Sequence, residues 1–131
     1  MCVITHLGRP KEGEFDIDLS VLPIKKWFEK RLNEEIALIN NFENIPDNVC
    51  FMENIRFFNG ENDNDKNLSE QIAKAFDVYV MDAFATAHRT AASTFGAIKF
   101  SKNACSGLLF SEEITNLESA LKENKQILKM A

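Results

Sequence analysis

An α/β fold built on a parallel sheet is the class that this 131-residue sequence predicts. Two observations predict it. Short apolar runs alternate with stretches of helical period, the pattern of strands joined by helical crossovers. Three of those runs also lead into an arginine, and two into a histidine as well: Val3-Ile4-Thr5-His6-Leu7-Gly8-Arg9, Val49-Cys50-Phe51-Met52-Glu53-Asn54-Ile55-Arg56, and Val78-Tyr79-Val80-Met81-Asp82-Ala83-Phe84 followed by His88-Arg89. The chain has only four arginines and two histidines, and three of the former and both of the latter stand here. In a parallel sheet the carboxyl ends of the strands share one edge, where open α/β folds bind ligands. The expectation is a site for a small, multiply charged anion.

The elements follow in order. Residues 1–5 read as a buried strand that breaks at Gly8 and Pro10. Residues 11–18 are polar and loop-like. Pro23 sits where the first turn of a helix tolerates proline, and Leu22, Ile24, Trp27, Phe28, Leu32 and Ile36 follow a helical period. Residues 37–42 fit either a short strand or the tail of that helix. Ile45-Pro46-Asp47-Asn48 signals a turn. Residues 49–58 make a second strand and its exit, and residues 60–66 an acidic loop. Ser69, Glu70, Ile72, Ala73 and Phe76 predict a short helix, and residues 78–83 a third strand. Residues 85–100 are small, polar and weakly patterned. Ser111-Glu112-Glu113 starts a last helix, with acids favourable in its first turn and Ile114, Leu117 and Leu121 on one face; residues 128–131 turn apolar again. Three clear strands are few for a doubly wound sheet, so the domain is expected to be incomplete.

Composition excludes several classes. The net charge of −5 argues against nucleic acid or an anionic membrane as partner, since both require a basic face. No apolar stretch approaches the roughly 20 residues that span a bilayer, and the amino terminus lacks a signal-peptide pattern. Cys2, Cys50 and Cys105 are odd in number and widely spaced, which gives neither a disulfide framework nor a zinc pattern. Cys2 and Cys50 read as small buried hydrophobes, and a reducing cytoplasm as the location. No phosphate-binding glycine loop of the G-x-x-x-x-G-K-[ST] or G-x-G-x-x-G type occurs. The acidic residues from Glu61 to Asp65 read as a solvated loop rather than a metal site. Trp27, Phe57 and Phe58 read as core.

Thr5-His6-Leu7-Gly8-Arg9-Pro10 resembles the [ST]-H-L-G-R-P segment of phosphoglycerate kinases. Glu53-Asn54-Ile55-Arg56-Phe57 resembles their E-N-[VI]-R-F segment. Asp82-Ala83-Phe84-Ala85-Thr86-Ala87-His88-Arg89 resembles D-A-F-G-T-A-H-R, and Ala92-Ser93-Thr94 continues it. The three stand in the family's order. The resemblance implies that residues 1–131 are a partial N-terminal, 3-phosphoglycerate-binding domain: a three-layer parallel-sheet sandwich, incomplete, lacking the family's first strand and its nucleotide-binding domain. It implies a phosphotransferase of glycolysis that moves a phosphoryl group reversibly between 1,3-bisphosphoglycerate and ADP. Mg-ADP or Mg-ATP would be bound by the absent C-terminal domain and by nothing in this chain alone. The full-length enzyme is expected to be a cytoplasmic monomer.

Carried over by residue, the resemblance implies substrate binding by His6, Arg9, Arg56 and Arg89, with Gly8, Asp82 and His88 in support and no catalytic residue or metal ligand. A single arginine at a strand end is more often a solvated charge, but three within such motifs read as a binding set. Gly8 reads as a tight turn, and Asp82 as a partner for Arg89 or a backbone cap. Three departures from the family pattern bear on affinity: Met81 for asparagine, Ala85 for glycine and Ala91 for histidine. They also motivate the alternative, a non-catalytic anion-binding or interaction module from a truncated kinase gene. With an inner strand missing, unpaired edges and exposed apolar surface predict self-association or poor folding of the isolated chain.

Overall fold

The computed structural model describes the backbone of residues 1–130 and the side chains of residues 1–122. Five strands lie among them: β1 (Cys2–Val3), β2 (Ala37–Ile39), β3 (Cys50–Met52), β4 (Tyr79–Met81) and β5 (Ala104–Ser106). Four α-helices accompany them: α1 (Leu22–Leu32), α2 (Lys66–Lys74), α3 (Ala97–Phe100) and α4 (Leu108–Met130). All strand pairs are parallel. One sheet has the order β1-β3-β2, with Cys2 opposite Cys50 and Leu38 opposite Phe51. A second sheet pairs β4 with β5, Val80 opposite Cys105.

Strand β3 is the centre of the core. Cys50, Phe51 and Met52 are all buried. Successive strand residues point to opposite faces, so β3 is covered on both. Phe28 of α1 packs against Phe51 with ring centroids 5.3 Å apart. A cluster of Ile55, Leu68, Ile72, Ala92 and Ala97 joins α2, α3 and the 3₁₀ turn Ile55–Phe57, and Ile4, Phe42, Phe58 and Tyr79 pack onto it. Sandwiching of a parallel strand by helices is the arrangement that near-continuous apolar runs predict.

Between β1 and β4 the two sheets are not joined. A groove of about 460 Å³ separates them, lined by residues 1–6 on one side and 79–83 on the other. Met81 is buried against it.

The structure departs from the sequence reading at particular residues. Residues 37–39 form a strand, which removes the helix-tail alternative. Helix α1 ends earlier, at Asn33, whose left-handed backbone (φ 54°) stops it. Helix α2 begins at Lys66 because Asp65 caps it, accepting from the Leu68 N–H at 2.9 Å. The weakly patterned residues 92–100 form a π-helical turn, Ala92–Gly96, running into α3. Trp27 is not core: it is 59% exposed on α1, edge-on to Phe28. Phe57 is half-buried beneath Phe15, ring to ring at 5.4 Å. Cys2 is half-buried, not fully. Burial pushes its thiol up to about 12, with neighbouring Cys50 adding to the rise, so it is a poor nucleophile. Ile114, Leu117 and Leu121 of α4 are exposed. The apolar stretch at residues 128–131 lies outside the described side chains.

Candidate anion-binding site

Each arginine of the site sits on an irregular turn just past a strand. After β1, the chain turns at Gly8 with a positive φ of 59°, a conformation that favours glycine. A Cβ there would also stand 2.5 Å from Leu19 Cδ2. The turn delivers Arg9 to the surface. After β3, the 3₁₀ turn Ile55–Phe57 carries Arg56, and the guanidinium of Arg56 donates to the Gly8 carbonyl. After β4, a 3₁₀ turn, Phe84–Thr86, leads to Arg89, whose N–H donates to the Thr86 carbonyl at 2.9 Å.

These turns bring Arg9, Arg56 and Arg89 together around one cleft of about 420 Å³, completed by Pro10 and Asn62. The ion pairs among the described residues all use lysine, so none of the three arginines is neutralised by a carboxylate within 4 Å. Their mutual proximity is felt: Arg56 is held below its ordinary value by partial burial first, then by Arg89, with Glu61 opposing and Arg9 adding to the fall. Three unneutralised like charges converging on one cleft is an arrangement that an anion relieves. His6 lines the groove between the sheets, close enough to Arg56 and Arg89 to feel their charge. Burial is the first cause lowering its imidazole below 6.5, and Arg56 and Arg89 follow. It is therefore mainly neutral at pH 7, with one ring nitrogen a donor and the other an acceptor.

The remaining predicted residues are placed less centrally. His88 is exposed and lines neither opening. Asp82 accepts from the Phe110 N–H at 2.8 Å, capping the first turn of α4. Ala85 is exposed, whereas Ala91 is buried, with Thr94 Oγ accepting from its N–H at 3.3 Å.

Three residues that the sequence reading did not place in the site hold it together. Asn54 is fully buried, and its amide bonds Leu7, Leu19 and Arg56. Glu53, also buried, accepts from Ser20 Oγ, the Val21 N–H and the Asn54 N–H at 2.7–2.8 Å. It anchors the start of α1 to the exit of β3. Glu61 corrects the reading of an acidic solvated loop, being only 4% exposed. It accepts from Ser93 Oγ at 2.5 Å and from the Ser93 N–H at 3.0 Å, while its carbonyl takes the Ala92 N–H. Burial pushes the Glu61 carboxyl up and the Ser93 bonds oppose it. A capable acceptor inside a motif or beside a glycine turn was the available signal: Glu53 and Asn54 stand just before Ile55-Arg56, and Glu61 follows Gly60.

Fold and site thus define an α/β protein with an arginine-lined cleft at the carboxyl edge of its parallel strands. The chain belongs to the phosphoglycerate kinase family, whose family model matches residues 1–130. The chain is 42% identical over 128 residues to a phosphoglycerate kinase of Coxiella burnetii, covering 95% of this chain and 32% of that protein. It is 44% identical over 129 residues to one from Buchnera aphidicola, covering 95% and 33%. Among solved structures, it is similar to phosphoglycerate kinase from Coxiella burnetii with a TM-score of 0.86 at 41% identity, covering 91% of this chain and 31% of that one. The enzyme of Pyrococcus horikoshii gives a TM-score of 0.70 at 25% identity, covering 91% and 33%. The chain spans about a third of the length of the curated relatives it matches.

Among the described residues no group of three or more His, Cys, Asp or Glu side chains is gathered to hold a metal ion, and no helix is long and apolar enough to cross a membrane.

Proposed function

We propose that the cleft binds 3-phosphoglycerate or 1,3-bisphosphoglycerate, as the phosphoglycerate half of a kinase that transfers a phosphoryl group reversibly between 1,3-bisphosphoglycerate and ADP, giving 3-phosphoglycerate and ATP. The observation that supports this best is the convergence of Arg9, Arg56 and Arg89, none of them paired with a carboxylate, on one cleft. Planar guanidinium forks suit phosphate and carboxylate oxygens, and the proposed substrate carries both groups.

The residues divide the work as follows. The three arginines hold the charged ends of the substrate and keep them in register for transfer. A transferring phosphoryl group carries charge on its equatorial oxygens, so positioning and electrostatic stabilisation supply most of the catalysis, and no nucleophile is needed from this part of the enzyme. His6, mainly neutral in the free site, offers a hydrogen bond to a hydroxyl or carboxylate of the substrate. The Mg-nucleotide would be bound by the two thirds of the relatives that this chain does not match. As in the sequence reading, the whole enzyme is proposed to be a cytoplasmic monomer; the isolated 131 residues should have no turnover.

Calorimetry tests the reading. The chain should bind 3-phosphoglycerate and should not bind glycerate, which lacks the phosphate. Equal heats from both, or ADP-dependent turnover by the 131-residue chain, would contradict the assignment.

A further inference from the structure

We propose that Asn54 is the positioning residue that assembles the cleft, its side-chain amide locking the turn that bears His6 and Arg9 onto the turn that bears Arg56. The inference rests on the reading of the cleft as an anion site.

An asparagine amide has two N–H donors and an oxygen with two lone pairs. In this structure all four are used. Nδ2 donates to the Leu7 carbonyl at 2.8 Å and to the Leu19 carbonyl at 2.9 Å. Oδ1 accepts from the Leu7 N–H and from the Arg56 N–H, each at 3.2 Å. The partners fix which end of the amide is which: two carbonyls face the nitrogen and two N–H groups face the oxygen, so a flipped amide would lose every bond. The backbone of Asn54 is fixed in turn by Glu53, which accepts its N–H at 2.8 Å.

The residues so joined are those of the site. Leu7 lies between His6 and Arg9, so clamping both polar groups of Leu7 sets where its neighbours point. The Leu7 side chain is 37% exposed, so packing anchors that turn only in part. Beyond the amide, the turn is attached to the second one by the Ile55 N–H to the Thr5 carbonyl at 3.1 Å and by Arg56 to the Gly8 carbonyl. The latter bond depends on the placement that Asn54 supplies. Only an asparagine at this position offers two donors and two acceptors in one short plane. Aspartate would turn acceptors toward the Leu7 and Leu19 carbonyls, and leucine would leave four backbone groups without the partners that the buried amide supplies.

A residue that merely stabilised the fold would behave like any core position. The test therefore compares Asn54→Ser with Ile72→Val, a change in the buried cluster at a residue that does not line the cleft. The readouts are the His6 imidazole titration by NMR and the affinity for 3-phosphoglycerate. In Asn54→Ser the His6 midpoint should rise toward 6.5 and the affinity should fall by about tenfold or more. In Ile72→Val neither should move. A His6 midpoint unchanged in Asn54→Ser would overturn the proposal. A measurement on the unaltered chain covers a variant that fails to fold: the Leu7 and Arg56 amides should exchange with solvent slowly despite their place in surface turns. Exchange of the Leu7 amide at the rate of an unbonded loop amide would also overturn it. If His6 moves while the unaltered chain does not bind 3-phosphoglycerate, the ligand assignment fails and the positioning role stands. If ligand binds both proteins equally and His6 is unmoved, the reverse holds.

Discussion

The sheet β1-β3-β2 and the pair β4-β5 are both parallel, yet they are held in different ways. Every residue of β3 is buried, and helix and turn residues cover both of its faces. In the second sheet β5 is exposed throughout, and Val80 of β4, beside the groove, is 55% exposed. His6, Arg9 and Arg56 belong to the first sheet, and Arg89 follows the second. A cleft lined from both is therefore rigid on one side and dependent on local clamps on the other. Asn54 fastens the first side from within the core. Glu61 fastens the second by gripping Ala92 and Ser93, just past Arg89.

The contrast can be broken most forcefully in the core. Phe51→Ala should cost about 3–5 kcal/mol in denaturant unfolding, because it removes a large side chain from a place that cannot fill with water. Val80→Ala in the second sheet should cost far less than that, and equal losses would erase the distinction between the sheets. Next in size is the site itself. Arg56→Ala should weaken 3-phosphoglycerate binding by about 10–100-fold, the range of a charged hydrogen-bond pair. Arg56→Lys should recover only part of it, because a point charge replaces a planar fork; full recovery by lysine would argue against bidentate recognition. Glu61→Ala should cost about 1–3 kcal/mol, since it strands the Ser93 donors in a buried place. It should also loosen Arg89 relative to Arg56, seen as broadened or shifted Arg89 resonances. Smallest is Trp27→Ala: the side chain is 59% exposed, and thermal unfolding should shift little beyond the ordinary surface range of about 0.5 kcal/mol.

The rigid side also predicts a pH response. His6 is held below 6.5 in the folded chain. Between its folded value and 6.5, the unfolded chain takes up a proton that the folded chain refuses. Its contribution to stability is thus complete above about pH 6.5 and is lost as pH falls through the folded value. A dianionic phosphate in the cleft favours the protonated ring, so adding 3-phosphoglycerate should raise the His6 midpoint. A midpoint that stays put would place the ligand away from His6.

Much of this was legible in the residues. The parallel class followed from alternation of element types, and the gathering of three arginines on one cleft from their place after three apolar runs. Strands β2 and β5 were harder, because three-residue strands carry too few positions to show a period. Helix α2 started early for a reason visible only afterwards: Asp65, read as part of a charged loop, is its cap. Trp27 misled because a helical period marks a face without saying what covers it. Asn54 and Glu61 were overlooked for the same physical reason. A buried polar group is defined by the backbone groups that converge on it, and these come from residues as far away as Leu7 and Ser93. Charge and apolar period, which sequence displays, say little about such convergence.

One measurement tests the central claim most directly: a two-dimensional amide NMR titration of the chain with 3-phosphoglycerate. Where the spectrum is dispersed, the account predicts that His6, Arg9, Arg56 and Arg89 shift together on a single binding curve, with exposed β5 unmoved. A dispersed spectrum in which those four stay fixed as ligand is added would contradict it.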